Sequence, residues 1–143
     1  MYKILVVDDE SIEREGISFL IEKYKFPLEV AQATNGKTAL EYMRTHPIDI
    51  LLTDVKMPQM DGLELARHTF EKYPDVRILV FSAYGEFEFA KKAMAAQAVS
   101  YLLKPIEVDE FQRVMTQIIA QCDELSEKKK DEQQRDEEVR QQL

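Results

Sequence analysis

Four short apolar runs constrain the fold of this chain most strongly, because each of them ends in a polar residue that can do chemistry. The runs cover residues 2–7, 48–53, 76–81 and 99–103, and the residues that follow them are Asp8-Asp9, Asp54, Ser82 and Lys104. Short runs rich in Ile, Leu and Val are typical of buried parallel strands. The carboxyl ends of parallel strands lie at one edge of a sheet, where open α/β sheets bind their ligands. We therefore expect these polar side chains to meet at one site.

Helical periodicity fills most of the intervals between the runs. Ser11 is expected to cap the first helix, Asp61-Gly62 to open the third, and Phe87 to Ala96 to form the fourth. Residues 28–33 alternate between apolar and polar and predict an outer strand. Five strands that alternate with five helices predict an α/β fold with a doubly wound, five-stranded parallel sheet. The expected form is the flavodoxin-like (βα)5 fold with strand order 2-1-3-4-5 and an extended C-terminal helix.

Composition narrows the classes of function. A chain of 143 residues suits one domain with a sizeable core. The net charge of −8 argues against direct binding of nucleic acid or of an anionic membrane. Cys122 is the single cysteine, so an internal disulfide is excluded. The sequence has neither a run long enough to span a membrane nor a signal peptide, so we expect a cytoplasmic protein.

The acidic residues at the strand ends predict a metal site. Asp8, Asp9 and Asp54 at one sheet edge concentrate negative charge, which is costly unless a cation balances it. A hard divalent ion with oxygen ligands, Mg²⁺ above all, is the natural counter-ion. The alternative is a group of acids that repel one another and have no function.

The last helix admits two interpretations. Its apolar residues follow a 4-3-4-3 spacing, and the helix continues into the highly charged segment 126–143. An amphipathic helix could pack on its own sheet and then extend into solvent. A helical linker could instead pair with a second subunit and continue into a further domain.

At this point the motifs resemble those of a known family. Asp8-Asp9, Asp54, Ser82 and Lys104-Pro105, in this order, resemble the receiver domain of bacterial two-component response regulators. The resemblance covers about residues 2–120. Segments 81–93 and 101–105 look like receivers attached to AraC-type helix-turn-helix domains. We accordingly divide the chain into a receiver domain, 1–122, and a charged helical linker, 123–143, toward a missing output domain.

The resemblance implies a chemistry for the site. Mg²⁺ would be bound by Asp9, Asp54 and the backbone carbonyl of Lys56, with Asp8 acting through water or as a second ligand. Asp54 would accept a phosphoryl group from a sensor histidine kinase or a small acyl phosphate. The ammonium group of Lys104 would supply a second positive charge.

The resemblance also implies a switch. The hydroxyl of Ser82 would bind the new phosphoryl group, and Tyr101 would rotate into the vacated space. This pair would carry the signal to the face formed by the fourth helix, the fifth strand and the fifth helix. Such a protein would not be an enzyme beyond its own modification. It would form a homodimer on activation and reach DNA only through the missing output domain.

Three other classes of protein share parts of this sequence pattern. A flavodoxin-type electron carrier would need a Ser/Thr/Gly-rich phosphate loop after strand 1, where Asp8-Asp9-Glu10 stands instead. A phosphatase with an Asp nucleophile would usually carry two Asp residues, two apart, after the first strand. A degenerate receiver that acts only as a protein-binding module would be expected to lack Asp9, Asp54 or Lys104, and all three are present.

Overall fold

The computed structural model describes residues 1–95, 97 and 99–142, without the side chain of Tyr84. Within these residues five strands alternate with five helices. The strands are β1 (Tyr2–Val7), β2 (Leu28–Ala33), β3 (Ile50–Asp54), β4 (Arg77–Ala83) and β5 (Val99–Lys104). The helices are α1 (Ser11–Lys23), α2 (Gly36–Thr45), α3 (Gly62–Lys72), α4 (Tyr84–Ala93) and α5 (Val108–Gln142).

The strands form one sheet in the order β2-β1-β3-β4-β5, and every neighbouring pair is parallel. The predicted doubly wound, flavodoxin-like (βα)5 fold is therefore confirmed. The long last helix is confirmed as well. Because all five strands run in one direction, their carboxyl ends share one edge of the sheet.

Helices cover both faces of the sheet. One face packs against α1 and α5 through a cluster that includes Ile17, Phe111 and Ile118. The other face packs against α2, α3 and α4 through two clusters, to which Met43 and Met94 contribute. Side chains of a strand alternate between the two faces, which is why the central strands carry successive apolar residues over 4–7, 50–52 and 78–81. The whole of β3 is buried.

Two helix starts differ from the prediction. Ser11 does not cap α1, because it is the first helical residue and Glu10 occupies the cap position without a side-chain cap bond. The backbone N–H of Glu10 donates instead to a carboxylate oxygen of Asp8, at 2.9 Å. Helix α4 begins at Tyr84, three residues before the predicted start at Phe87. Its first turn includes Gly85, and the predicted end at Ala96 lies outside the described residues.

Helix α5 is one continuous helix from Val108 to Gln142. Its first half buries Phe111, Met115, Ile118 and Cys122, so the predicted apolar seam packs on the sheet. From residue 127 to residue 142 every side chain is exposed. The boundary between residues 122 and 123 coincides with no break in the helix, and the division into domain and linker stays a prediction. Within the described part of the chain, no helix is both long and apolar enough to cross a lipid bilayer.

Candidate functional site

Two buried carboxylates lie side by side at the carboxyl edge of the sheet. Asp8 follows β1 and Asp54 ends β3. Because Val7 pairs with Thr53 in the parallel register, the next residues of the two strands are also neighbours. The side chain of Asp8 is fully buried, and Asp54 is only 6% exposed. Burial of two adjoining carboxylates costs free energy unless protons or positive charges compensate it.

A third carboxylate joins them from helix α1. Oxygen atoms of Asp8, Glu13 and Asp54 lie within 4.8 Å of one another. Glu13 was not predicted as a site residue, because it lies in the first turn of a helix and not at a strand end. Acids are common in first turns, where they interact favourably with the helix dipole. Nothing in the local pattern distinguishes Glu13 from such a residue.

The ammonium group of Lys104 sits among the three acids. Its Nζ donates a hydrogen bond to Oε2 of Glu13 at 2.6 Å, lies 3.2 Å from Oδ1 of Asp54, and lies 3.8 Å from Oδ2 of Asp8. It also lies 4.3 Å from the ring centroid of Phe81, close enough for a cation–π interaction. The register of β4 and β5 pairs Lys104 with Ala83. Lys104 therefore provides the compensating positive charge of the cluster.

The electrostatics of the site follow from this arrangement. Burial, together with the adjoining Glu13 carboxyl, raises the pKa of Asp8 to about 8. Burial also raises the pKa of Asp54, although Lys104 partly offsets it. The adjoining Asp8 carboxyl and then Lys104 hold the pKa of Glu13 below its usual value. Burial alone would lower the pKa of Lys104, but Glu13 and Asp54 together raise it.

One buried carboxylate oxygen of the cluster lacks a hydrogen bond from the described residues. The Oδ1 atom of Asp8 accepts the N–H of Glu10, whereas its Oδ2 atom is buried and accepts no hydrogen bond from the described residues. A buried carboxylate oxygen without a hydrogen-bond partner is costly and calls for a proton or a closer cation. Clustered carboxylate oxygens are the donor set that hard divalent cations prefer. The residues present thus fit a metal ion of that class.

The other predicted metal ligands line an open cleft beside this cluster. Asp9 is exposed, and it shares with Asp54, Lys56 and Lys104 a cleft of about 520 Å³. The Lys56 side chain points to solvent, with its Nζ 3.9 Å from Oε1 of Glu86. Asp9 is thus placed beside the buried acids but is not part of their contact group. The cleft gives Asp54 access to solvent from one side.

The two predicted switch residues lie on neighbouring strands. Ser82 is buried on β4 and Tyr101 is half-buried on β5. Val80 pairs with Tyr101, and Ser82 is two residues beyond Val80, so both residues point to the same face of the sheet. The Tyr101 ring meets the Phe87 ring edge to face, with centroids 6.1 Å apart. Burial raises the pKa of Tyr101.

Comparison with known proteins assigns this arrangement to a family. Residues 4–116 match the response regulator receiver domain family. The chain belongs to this family. The residues matched include both strand-end acids, Asp8 and Asp54, and Lys104. Receivers of response regulators are signalling switches, and the expectation drawn from the motifs is confirmed at that level.

Individual relatives agree with the assignment. The uncharacterised transcriptional regulatory protein YesN of Bacillus subtilis (strain 168) is 41% identical over 122 residues, which make up 85% of this receiver and 33% of YesN. The response regulator GacA of Pseudomonas aeruginosa is 33% identical over 120 residues, or 84% of this receiver and 56% of GacA. The REC domain of AraT from Geobacillus stearothermophilus has a TM-score of 0.77 at 37% identity, covering 90% of this receiver and 98% of that chain. The receiver spans about a third of YesN.

Proposed function

We propose that this receiver is the phosphorylation-activated switch of a two-component system, with Asp54 as the phosphoacceptor. One observation carries the proposal. Asp54 is a buried carboxylate that lies 3.2 Å from an ammonium group and opens to a cleft. A nucleophile needs access to its substrate, and phosphoryl transfer needs positive charge near the transferring oxygens. Asp54 has both access to the cleft and a neighbouring positive charge.

The transfer step follows from these positions. A carboxylate oxygen of Asp54 attacks the phosphorus atom of a phosphohistidine on a sensor kinase, or of a small acyl phosphate. A new P–O bond forms while the bond between phosphorus and the donor breaks, and the donor keeps the electron pair of that bond. The ammonium group of Lys104 balances charge on the transferring oxygens. The receiver modifies itself and turns over no external substrate, so it is not an enzyme in the ordinary sense.

We assign the metal of the site as Mg²⁺. Asp8, Asp9, Asp54 and the backbone carbonyl of Lys56 would hold it. When bound, the ion would neutralise negative charge at Asp54. Because the pKa of Asp8 is raised, metal binding would displace a proton from the acid cluster, and the affinity for Mg²⁺ would rise with pH.

The signal leaves the site through Ser82 and Tyr101. A phosphoryl group on Asp54 adds acceptor oxygens and negative charge. The Ser82 hydroxyl donates a hydrogen bond to it, and Tyr101 then turns toward the space that Ser82 vacates. Tyr101 packs on Phe87 of α4, so its movement changes the face formed by α4, β5 and α5. Phosphorylation shifts the population of two states that exist beforehand.

The partners follow from the same proposal. A sensor histidine kinase donates the phosphoryl group in the cytoplasm, and activation favours a homodimer. The names of the relatives, transcriptional regulatory proteins among them, support an output in transcription. That output would act on DNA through a domain beyond α5. The net charge of −8 favours contact with DNA through such a domain and not through the receiver itself.

Intact-mass measurement after incubation with acetyl phosphate tests the proposal. Wild type should gain one phosphoryl group with Mg²⁺ and none without it, whereas Asp54→Asn should gain none. Asp109→Asn removes the same charge from an exposed position of α5 and should behave as wild type. No uptake by wild type under any condition would contradict the proposal and favour a degenerate receiver that only binds proteins.

A further inference from the structure

The shortest contact of Lys104 is with Glu13 and not with the proposed phosphoacceptor. Its Nζ lies 2.6 Å from Oε2 of Glu13 and 3.2 Å from Oδ1 of Asp54. Among the described residues, Glu13 alone accepts a hydrogen bond of good geometry from this ammonium group. Both side chains are partly exposed, 20% for Lys104 and 31% for Glu13, at the margin of the site. The ammonium group is thus drawn toward α1.

The position of Glu13 is fixed by its own helix. The next residue, Arg14, donates through its guanidinium to the backbone carbonyl of Asp8 at 2.6 Å and to the side chain of Gln32 at 3.1 Å. The buried Ile17 and Ile21 pack the same helix on the sheet. Glu13 is therefore presented to Lys104 by a firmly anchored turn, and its contact with Lys104 is not a chance encounter of two mobile side chains.

Glu13 and a phosphoryl group compete for the same cation. A phosphoryl group on Asp54 would bring negative oxygens to the region that Lys104 now shares with Glu13. One ammonium group cannot pair fully with both the Glu13 carboxylate and the phosphoryl group. An unpaired Glu13 carboxylate nearby would repel the phosphoryl group. The proposed transfer therefore includes the loosening of the Lys104–Glu13 pair.

We propose that Glu13 is a positioning residue that holds Lys104 toward α1 in the unphosphorylated receiver and thereby slows phosphorylation of Asp54. This inference rests on the proposed function, because it assigns to Lys104 the charge-balancing part in the transfer. It adds a residue that the strand-end pattern does not contain. Loss of the Glu13 charge frees Lys104 for the incoming phosphoryl group and removes a negative charge from the path of the anionic donor.

The test compares phosphorylation rates at saturating Mg²⁺ with acetyl phosphate as donor. Glu13→Gln should react faster than wild type by about fivefold, the scale of a partly exposed ion pair. Glu13→Asp keeps the charge on a shorter side chain, and its rate should fall between the two. Glu15→Gln makes the same change of net charge at an exposed position of α1 and should match wild type.

A second readout reports on Lys104 itself. In the protein labelled with ¹⁵N at the lysine side chains, the ammonium protons of Lys104 should exchange slowly with water in wild type. They should exchange faster in Glu13→Gln and stay protected in Glu15→Gln. A merely structural part for Glu13 in α1 would lower the stability of the fold without raising the rate of phosphorylation.

The outcomes separate this inference from the proposed function. If wild type takes up a phosphoryl group and Glu13→Gln reacts no faster, the inference is wrong and the proposed function stands. If Glu13→Gln binds Mg²⁺ more weakly and matches wild type at saturating Mg²⁺, Glu13 is a metal ligand and the inference is again wrong. If wild type takes up no phosphoryl group, both are wrong.

Discussion

Gly62 is the position where one added methyl group should do most damage to the site. It is the first residue of α3, and its backbone N–H donates to the carbonyl of Val55 at 2.8 Å. A Cβ built there would overlap the carbonyl oxygen of Asp54 and lie 2.7 Å from its carbonyl carbon. Carbon atoms prefer separations of about 3.5–4.0 Å. The Gly62→Ala variant must therefore move the start of α3 away from β3 by about 1 Å.

The expected loss in the free energy of unfolding has two contributions. Overpacking of a well-packed region costs about 1–3 kcal/mol. Loss of the hydrogen bond between Gly62 and Val55 costs about 1 kcal/mol more. We expect Gly62→Ala to lower the free energy of unfolding by about 3 kcal/mol, a large share of the about 5–15 kcal/mol of a typical domain. The displaced carbonyl belongs to Asp54, so phosphorylation should also slow.

Urea unfolding followed by far-ultraviolet circular dichroism measures the change. Gly16→Ala is the matched control, because a Cβ on Gly16 meets nothing within 4 Å. That substitution, within α1, should raise stability by about 0.5–1 kcal/mol, since Ala favours the helix. A Gly62→Ala variant as stable as Gly16→Ala would refute the reasoning from close approach.

Three further predictions concern regions away from the site. The hydrogen bond from Tyr2 to Asp123 raises the pKa of Tyr2 to about 12 from 10.0, so Tyr2 should add a late step near pH 12 to a spectrophotometric titration of the six tyrosines. The stability from this bond is present below pH 10 and is lost as the pH rises through 12, and Asp123→Ala should abolish the late step. Burial raises the pKa of the Cys122 thiol to about 11. A thiol reagent at neutral pH should therefore modify the native protein far more slowly than the urea-unfolded protein, and equal rates would contradict this. Asn35 accepts the N–H of Thr38 at 2.8 Å and caps α2, so Asn35→Ala should cost about 1 kcal/mol in urea unfolding, and no change would contradict the capping.

The fold could be predicted from the sequence because its central strands contain uninterrupted apolar runs. Only a strand covered on both faces requires such a run. Four such runs and one alternating strand, separated by helical segments, leave few topologies open. The sheet edge that carries the site was predictable for the same reason. Asp8, Asp54 and Lys104 stand at the carboxyl ends of β1, β3 and β5, and a parallel sheet must bring such residues to one edge.

Glu13 could not be found in this way, because its part depends on the packing of α1 over the sheet edge. A sequence records that an acid is in the first turn of a helix and not which cation that turn meets. The start of α4 was misplaced for a related reason. A start at Phe87 was predicted, but β4 passes directly into the helix at Ala83 and Tyr84.

The identity of the modified residue tests the central claim most directly. Borohydride reduces the acyl phosphate of an aspartate to homoserine, which tandem mass spectrometry locates in the chain. After reaction with acetyl phosphate and Mg²⁺, we predict homoserine at position 54 and at none of the other aspartates. Homoserine at Asp8 or Asp9, or phosphoryl uptake that leaves position 54 unmodified, would contradict the account.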